Sequence, residues 1–103
     1  YCAAKFGVVG MANSLALEVG EYGIRVNSVH TYGVDTALGN DLSMYEMFQK
    51  HPHFVYSFSP GALPTESPIA PKDVSEVVLF LASDASSLLT AAQIPADKGY
   101  MKV

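Results

Sequence analysis

Apolar residues follow a helical period over residues 3–19. They recur three or four positions apart, which is the spacing of one helix face, at Val8, Met11, Leu15 and Val19. Gly20 and Gly23 come directly after this run, and glycine commonly ends a helix. The pattern therefore predicts a helix over residues 3–19. Gly7 and Gly10 within it predict a face that another helix or a sheet approaches closely.

Two short segments have the composition of strands. Residues 24–29 are rich in β-branched side chains between turn residues, and we expect a buried parallel strand there. Residues 93–97 predict a final strand, which has to lie at an edge or bend because it contains Pro95. Helices are predicted over residues 41–50 and 73–83, with Pro71 in the first turn of the second one. This order of elements predicts an α/β fold with a parallel sheet.

The remaining segments are predicted to be loops. Residues 30–41 join the first strand to the short helix, with glycines at 33 and 39. Residues 51–71 contain five of the six prolines, and so long an irregular segment in a compact domain is usually functional or mobile.

Composition narrows the class of protein. Of 103 residues, 50% are hydrophobic and 16% are charged, which indicates a buried core and apolar faces meant for neighbours. The net charge of −4 argues against a nucleic-acid partner. The single cysteine, Cys2, excludes an internal disulfide and suits the cytoplasm; we interpret it as a packing residue. No apolar run approaches the ~20 residues of a membrane span, so no membrane partner is expected.

Tyr1 and Lys5 begin the first helix and share one of its faces, about one turn apart. An ammonium beside a phenol favours the phenolate form, which a tyrosine needs in order to exchange a proton near neutral pH. The pair is therefore a candidate catalytic acid–base unit. The alternative is a frayed helix start with two solvated side chains.

Four sequence blocks stand out, in chain order YCAAKFGVVG at residues 1–10, GIRVNSVH at 23–30, GVDT at 33–36 and PKDVSEVVLFLASD at 71–84. Together they resemble the short-chain dehydrogenase/reductase family. They are similar to the family's active-site helix, its next strand, the Gly-x-x-Thr turn after that strand, and its late helix. The segment between residues 40 and 68 is similar to the subgroup of actinobacterial carveol-dehydrogenase-like enzymes, often coupled to mycofactocin.

The resemblance implies a Rossmann-type doubly wound fold that binds NAD or NADP. It implies that Tyr1 is the proton donor or acceptor and that Lys5 assists it and contacts the nicotinamide ribose. Gly33, Val34 and Thr36 are implied to hold the nicotinamide amide. The implied reaction interconverts an alcohol and a ketone on a small hydrophobic substrate, in a cytoplasmic homodimer or homotetramer.

The family's Gly-rich phosphate turn and catalytic serine precede the tyrosine, whereas this chain starts at the tyrosine. We therefore expect residues 1–103 to be the C-terminal portion of one NAD(P)-binding domain, truncated before that tyrosine and inactive alone. Its parts would be a helix and strand (1–30), a cofactor turn and substrate lid (31–70), and the last helix and strand (71–103). The alternative is an inactive remnant or an oligomerisation fragment without catalysis.

Several residues depart from the family pattern, and these departures are relevant to the alternative of an inactive remnant. Thr31 stands where the subgroup has proline, so the loop loses a fixed φ. Ala91, Ala96 and Lys98 replace the family's glycine, valine and glycine. If the family turn needs positive φ at residue 91, alanine there costs on the order of 1 kcal/mol.

Other candidate residues have less specific patterns. We expect Asn27 to bridge backbone groups or support packing. His30, His51 and His53 lack metal-ligand spacing, so no metal is predicted. One group of side chains could line a substrate pocket or form core under the lid, and both interpretations stay open for Met44, Tyr45, Met47, Phe48, Phe54, Tyr56 and Phe58.

Overall fold

The computed structural model describes residues 1–38, 41–57, 61–63 and 68–100, with the backbone alone for 55–57. Its helices are α1 (Cys2–Val19), α2 (Leu42–Lys50) and α3 (Pro71–Ala82). Its strands are β1 (Ser28–Thr31) and β2 (Gln93–Ala96), which pair in a two-stranded sheet. Short 3₁₀ turns occupy Gly20–Tyr22, Pro52–Ser57 and Asp84–Ser86. The sheet is parallel and the fold is α/β, as predicted.

The chain divides into two compact units. The first comprises Tyr1–His30 and Glu76–Ile94, and the second comprises Thr31–Ser75 and Pro95–Val103.

Helix α1 forms where predicted, but its end differs from the expectation. Gly20 keeps right-handed helical angles, with φ −60°, and the chain continues through a 3₁₀ turn to Tyr22. Gly23 is the residue that stops it, with φ 70° and its N–H bonded to the Gly20 carbonyl at 3.0 Å. Only a residue without a Cβ adopts that left-handed angle at little cost.

Most of α1 is exposed. Ala16 is its buried residue, and large apolar side chains such as Phe6 and Leu17 face outward. A Cβ at Gly7 or Gly10 would meet nothing within 4 Å. Within the described residues, therefore, no element makes the close approach that these glycines predict.

The expectation that no segment is apolar enough for a membrane is wrong for α1 and its 3₁₀ extension. Cys2–Tyr22 forms a helical stretch of 21 residues with mean hydropathy 1.2, which meets the length and composition of a span. A core helix of a globular protein passes the same test, so this property indicates an apolar helix and no more.

Strand β1 starts later than predicted, at Ser28 and not at residue 24. Side chains interrupt the ladder before that point. The Val26 N–H bonds to the Thr90 hydroxyl at 3.2 Å, where a ladder would supply a carbonyl. Regular pairing begins when the Ser28 N–H reaches the Ala92 carbonyl at 3.0 Å.

The segment before β1 is fixed to the end of α3 by Arg25, within the first unit. Its guanidinium donates to the carbonyls of Leu81 at 2.7 Å, Ser83 at 3.2 Å, Ser86 at 3.0 Å and Leu89 at 3.3 Å. It also donates to the Ser86 hydroxyl at 3.0 Å, and Ser86 is 1% exposed. A planar guanidinium with several fixed donors suits such a set of acceptors.

Asn27 makes a second link in the same unit. Its side-chain amide donates to the Leu89 carbonyl at 2.9 Å and accepts from the Ala92 N–H at 3.1 Å. The predicted role in bridging backbone groups is confirmed.

The other elements agree more closely with the expectations. Helix α3 starts at Pro71, whose missing N–H costs nothing in a first turn. Strand β2 has β1 as its neighbour in the described part of the chain, so Pro95 lies in an edge strand, where it is tolerated. Asp41 caps α2 by accepting from the Ser43 N–H at 2.7 Å, and this bond lowers the pKa of Asp41.

Two residues other than glycine adopt left-handed backbone angles: Ala91, with φ 54°, and Lys98, with φ 52°. Both are positions at which the sequence resemblance implies glycine. The conditional expectation about residue 91 is thus met, since the turn does need positive φ there.

We predict that Ala91→Gly stabilises the protein. Relief of the left-handed strain is worth about 1–2 kcal/mol, and the added freedom of the unfolded chain offsets about 0.4–1 kcal/mol of it. The free energy of unfolding should rise by about 0.5–1 kcal/mol, measured by denaturant titration. Ala92→Gly is the matched control, because Ala92 has no positive φ, and it should destabilise. Equal effects of the two changes would show that backbone strain at residue 91 is not the cause.

We also predict that Arg25→Met destabilises the protein by about 3 kcal/mol, because the charged hydrogen bonds to four carbonyls and to the Ser86 hydroxyl are lost together. Arg25→Lys should cost less, since an ammonium keeps the charge but cannot span the same acceptors. The exposed Lys50→Met is the control and should change the free energy of unfolding by less than about 0.5 kcal/mol. A loss below about 1 kcal/mol for Arg25→Met would refute the anchoring role.

Candidate functional site

The first candidate pair, Tyr1 and Lys5, lies at the start of α1 in the first unit. Tyr1 is the N-cap residue, and its carbonyl accepts the Lys5 N–H at 3.0 Å. This first bond of the helix places residues 1 and 5 above each other on one face. The Lys5 ammonium lies 5.3 Å from the centroid of the Tyr1 ring, within cation–π range.

Tyr1 is 89% exposed. The geometry thus brings an ammonium to a phenol ring and leaves that phenol accessible to another molecule. The proton-transfer role of the pair stays a prediction.

The second candidate group, Gly33, Val34 and Thr36, lies in the second unit, in a turn that we name the 33–36 turn. An isolated parallel bridge joins Val34 to Ile69. The Ile69 N–H donates to the Gly33 carbonyl at 2.8 Å, and the Asp35 N–H donates to the Ile69 carbonyl at 2.9 Å. Ile69 is 3% exposed, so a buried residue holds the turn.

This bridge determines which way the Val34 backbone points. Successive backbone groups of an extended segment face opposite sides, and Ile69 takes the Gly33 carbonyl and the Asp35 N–H on one side. The N–H and C=O of Val34 therefore point to the other side. The Thr36 hydroxyl approaches the Val34 carbonyl at 3.4 Å.

Gly33 leaves space beside these groups. A Cβ built there meets nothing within 4 Å, so a planar ligand can approach the backbone closely. A backbone donor and acceptor side by side match the two ends of a carboxamide. The turn can thus recognise an amide without any particular side chain.

The apolar residues proposed for a pocket or core are only partly described. Met44, Met47 and Phe48 are half-buried, whereas Tyr45 and Phe54 are exposed. The Phe48 and Phe54 rings contact each other with centroids 6.2 Å apart. The Tyr56 side chain and Phe58 lie outside the described residues, so neither interpretation of this group is favoured.

His30 is a histidine whose partner the structure shows. His30 Nε2 shares a hydrogen bond with the Ser28 hydroxyl at 2.9 Å. Among the described residues, no three His, Cys, Asp or Glu side chains come together in a group that could hold a metal ion. Cys2 is a free, exposed thiol, so the packing role expected of it is not seen in the described residues.

Sequence reasoning missed two contacts of the 33–36 turn. One is Ile69, an isolated apolar residue between Pro68 and Ala70 with no periodic pattern to identify it. The other is the pairing of Tyr32 with Tyr100, whose ring centroids are 4.5 Å apart. These residues are distant in sequence, so no local spacing predicts their contact.

Comparison with known proteins covers nearly the whole chain. A family model described as enoyl-(acyl carrier protein) reductase matches residues 1–101. An uncharacterized NAD-dependent oxidoreductase of Mycobacterium tuberculosis is 46% identical over 102 residues, which are 99% of this chain and 37% of the relative. A (−)-trans-carveol dehydrogenase of Rhodococcus erythropolis is 37% identical over 106 residues, covering 96% of this chain and 38% of the relative.

A solved structure agrees with these relatives. The short chain dehydrogenase from Mycobacterium paratuberculosis, bound to NAD, superposes with a TM-score of 0.89 at 37% identity, covering 100% of this chain and 38% of that one. The chain thus spans less than two-fifths of the length of these relatives. The expected similarity to carveol dehydrogenases is confirmed. From the match over residues 1–101 and the four sequence blocks, we conclude that the chain belongs to the short-chain dehydrogenase/reductase family, an oxidoreductase family.

Proposed function

We propose that this chain supplies the acid–base pair and the nicotinamide-binding turn of an NAD(P)-dependent dehydrogenase. The enzyme would interconvert an alcohol and a ketone on a small hydrophobic substrate. The observation that carries the proposal is the Lys5 ammonium 5.3 Å from the ring of an exposed Tyr1. NAD is favoured as the cofactor because it is named for the M. tuberculosis relative and bound to the M. paratuberculosis structure.

The residues of the second unit fit the nicotinamide end of such a cofactor. The Val34 N–H and C=O would bind its carboxamide, and the Thr36 hydroxyl would lie beside them. When bound, the cofactor supplies the hydride that is exchanged with the substrate carbon.

Tyr1 would donate a proton to the carbonyl oxygen in reduction and accept one from the hydroxyl in oxidation. Lys5 would stabilise the phenolate left after donation, because opposite charges attract over one helical turn. Lys5 would also donate to the ribose of the cofactor.

The partners and the cellular location that we propose for the enzyme follow from the composition of the chain and from its relatives. The net charge of −4 disfavours nucleic acid. A cytoplasmic location suits the one free cysteine.

The carveol dehydrogenase relative supports a cyclic secondary alcohol as substrate. We further propose that the enzyme is a homodimer or a homotetramer.

A second candidate is a remnant without catalysis. Left-handed angles at Ala91 and Lys98, where the family has glycine, favour it, because such strain is what unselected substitutions would leave behind. The two candidates differ in whether the complete protein turns over an alcohol.

We predict that Tyr1→Phe in the complete protein lowers kcat by about 10² or more, with little change in NAD affinity. The change removes the proton donor and keeps the ring, and general acid–base catalysis typically contributes about 10²–10⁴. Steady-state oxidation of carveol and NAD binding by calorimetry provide the two readouts. Tyr22→Phe, at another exposed tyrosine, is the matched control and should leave both unchanged. Turnover at the unmodified rate in Tyr1→Phe at neutral pH would exclude Tyr1 as the acid–base group.

Lys5→Ala should lower both kcat and NAD affinity, because it removes the charge beside the phenol and also a donor to the ribose. The same two assays check it, with Lys50→Ala as the control for loss of an exposed lysine. If Lys5→Ala changed kcat and left NAD affinity intact, the ribose contact would be wrong.

We predict that the 103-residue chain by itself does not bind NADH measurably. It carries the candidate nicotinamide turn, but no Gly-rich sequence that could hold a pyrophosphate at a helix N-terminus. Nicotinamide fluorescence titration of the purified chain tests this, with the complete protein as the positive control. Sub-millimolar binding by the chain alone would contradict the prediction.

A further inference from the structure

The rings of Tyr32 and Tyr100 contact each other within the second unit. Their centroids are 4.5 Å apart and their planes are inclined by 34°, and this separation is within the range that aromatic pairs prefer. Tyr32 directly precedes Gly33, the first residue of the 33–36 turn. Because one peptide bond joins the two residues, a shift of Tyr32 also displaces the start of that turn.

Tyr100 is itself held by a folded turn after β2. The Asp97 side chain, 7% exposed, accepts the Gly99 N–H at 2.9 Å, and the Asp97 carbonyl accepts the Tyr100 N–H at 3.0 Å. Gly99 adopts φ 82° there. A buried carboxylate that accepts the Gly99 N–H, together with the backbone bond to Tyr100, makes this turn a fixed support for Tyr100.

The same turn is tied to the loop that contains Gly61. The Lys98 carbonyl accepts the Leu63 N–H at 3.0 Å, and a Cβ at Gly61 would lie 2.7 Å from that carbonyl oxygen. This close approach leaves the 97–100 turn little room to shift.

We propose that Tyr100 is a positioning residue for the nicotinamide end of the cofactor. Its ring fixes Tyr32, while Ile69 fixes Gly33 and Asp35 through two backbone hydrogen bonds. The two contacts together set where the Val34 N–H and C=O lie. The inference rests on the proposed function, because it needs Val34 to bind the carboxamide.

This role predicts a selective effect. Displacement of the 33–36 turn weakens contacts to the nicotinamide and leaves contacts to the adenosine and pyrophosphate unchanged. NAD affinity should therefore fall, whereas affinity for ADP-ribose, which has the same diphosphate and adenosine but no nicotinamide, should not.

The test measures the dissociation constants of NAD and ADP-ribose by calorimetry on the complete protein. Tyr100→Leu removes the aromatic pairing and keeps an apolar side chain. It should weaken NAD binding about 3- to 10-fold, the range expected for loss of one aromatic pair, with unchanged ADP-ribose binding. Tyr100→Phe keeps the ring and should bind NAD as tightly as the unmodified protein does. Tyr22→Leu is the control for loss of an exposed tyrosine elsewhere.

A double-variant cycle checks the mechanism. Tyr32→Leu should cause the same selective loss, and Tyr32→Leu with Tyr100→Leu should lose no more than either alone, because both remove one contact. Equal weakening of NAD and ADP-ribose, or no weakening of NAD in Tyr100→Leu, would overturn the inference while leaving the proposed function intact. Failure of the unmodified protein to bind either ligand would overturn the proposed function and the inference together.

Discussion

The first unit depends on one cation held by neutral acceptors. Arg25 binds the carbonyls of four residues between Leu81 and Leu89 and the hydroxyl of the buried Ser86. Each acceptor lies at or after the end of α3, where carbonyls have no partner within the helix and the helix dipole favours a positive charge. One side chain thus satisfies several backbone groups and fixes the start of β1 to them. With Asn27, it explains why regular strand pairing begins only at Ser28.

Local periodicity predicted the helices well. The bounds of α1 and α3 lie within two residues of the predicted ones, because apolar spacing, Pro71 and the glycines after residue 19 act over a few positions. The strand over residues 24–29 was predicted less well. Its β-branched composition suits a strand, but Arg25 and Asn27 direct their side chains to a segment more than 50 residues away. No local pattern contains that information, and tertiary contacts override β propensity.

The same contrast between local patterns and contacts distant in sequence applies to the candidate site. Tyr1 and Lys5 are neighbours on one helix, so their approach follows from a spacing of four. The turn at residues 33–36 was recognised from its motif, but its support was not, since Ile69 and Tyr100 lie 35 and 67 positions from Val34 and Gly33 in the printed sequence. The candidate catalytic and binding residues were proposed from their type. Residues that hold them were not, because apolar and aromatic side chains in loops carry no distinguishing signal.

The proposed recognition through backbone groups would be hard to infer from any sequence. At Val34 the groups that we propose to face a ligand are an N–H and a C=O, which almost any residue carries. The register of the bridge would make them specific, because Ile69 occupies the Gly33 carbonyl and the Asp35 N–H. A slip by one residue would turn the Val34 groups inward and expose others. The buried Ile69 and the Tyr32–Tyr100 contact restrict such a slip from two sides. Substitutions at these supporting positions should therefore disturb the geometry of the turn more than a change of the Val34 side chain, which takes no part in the proposed backbone contacts.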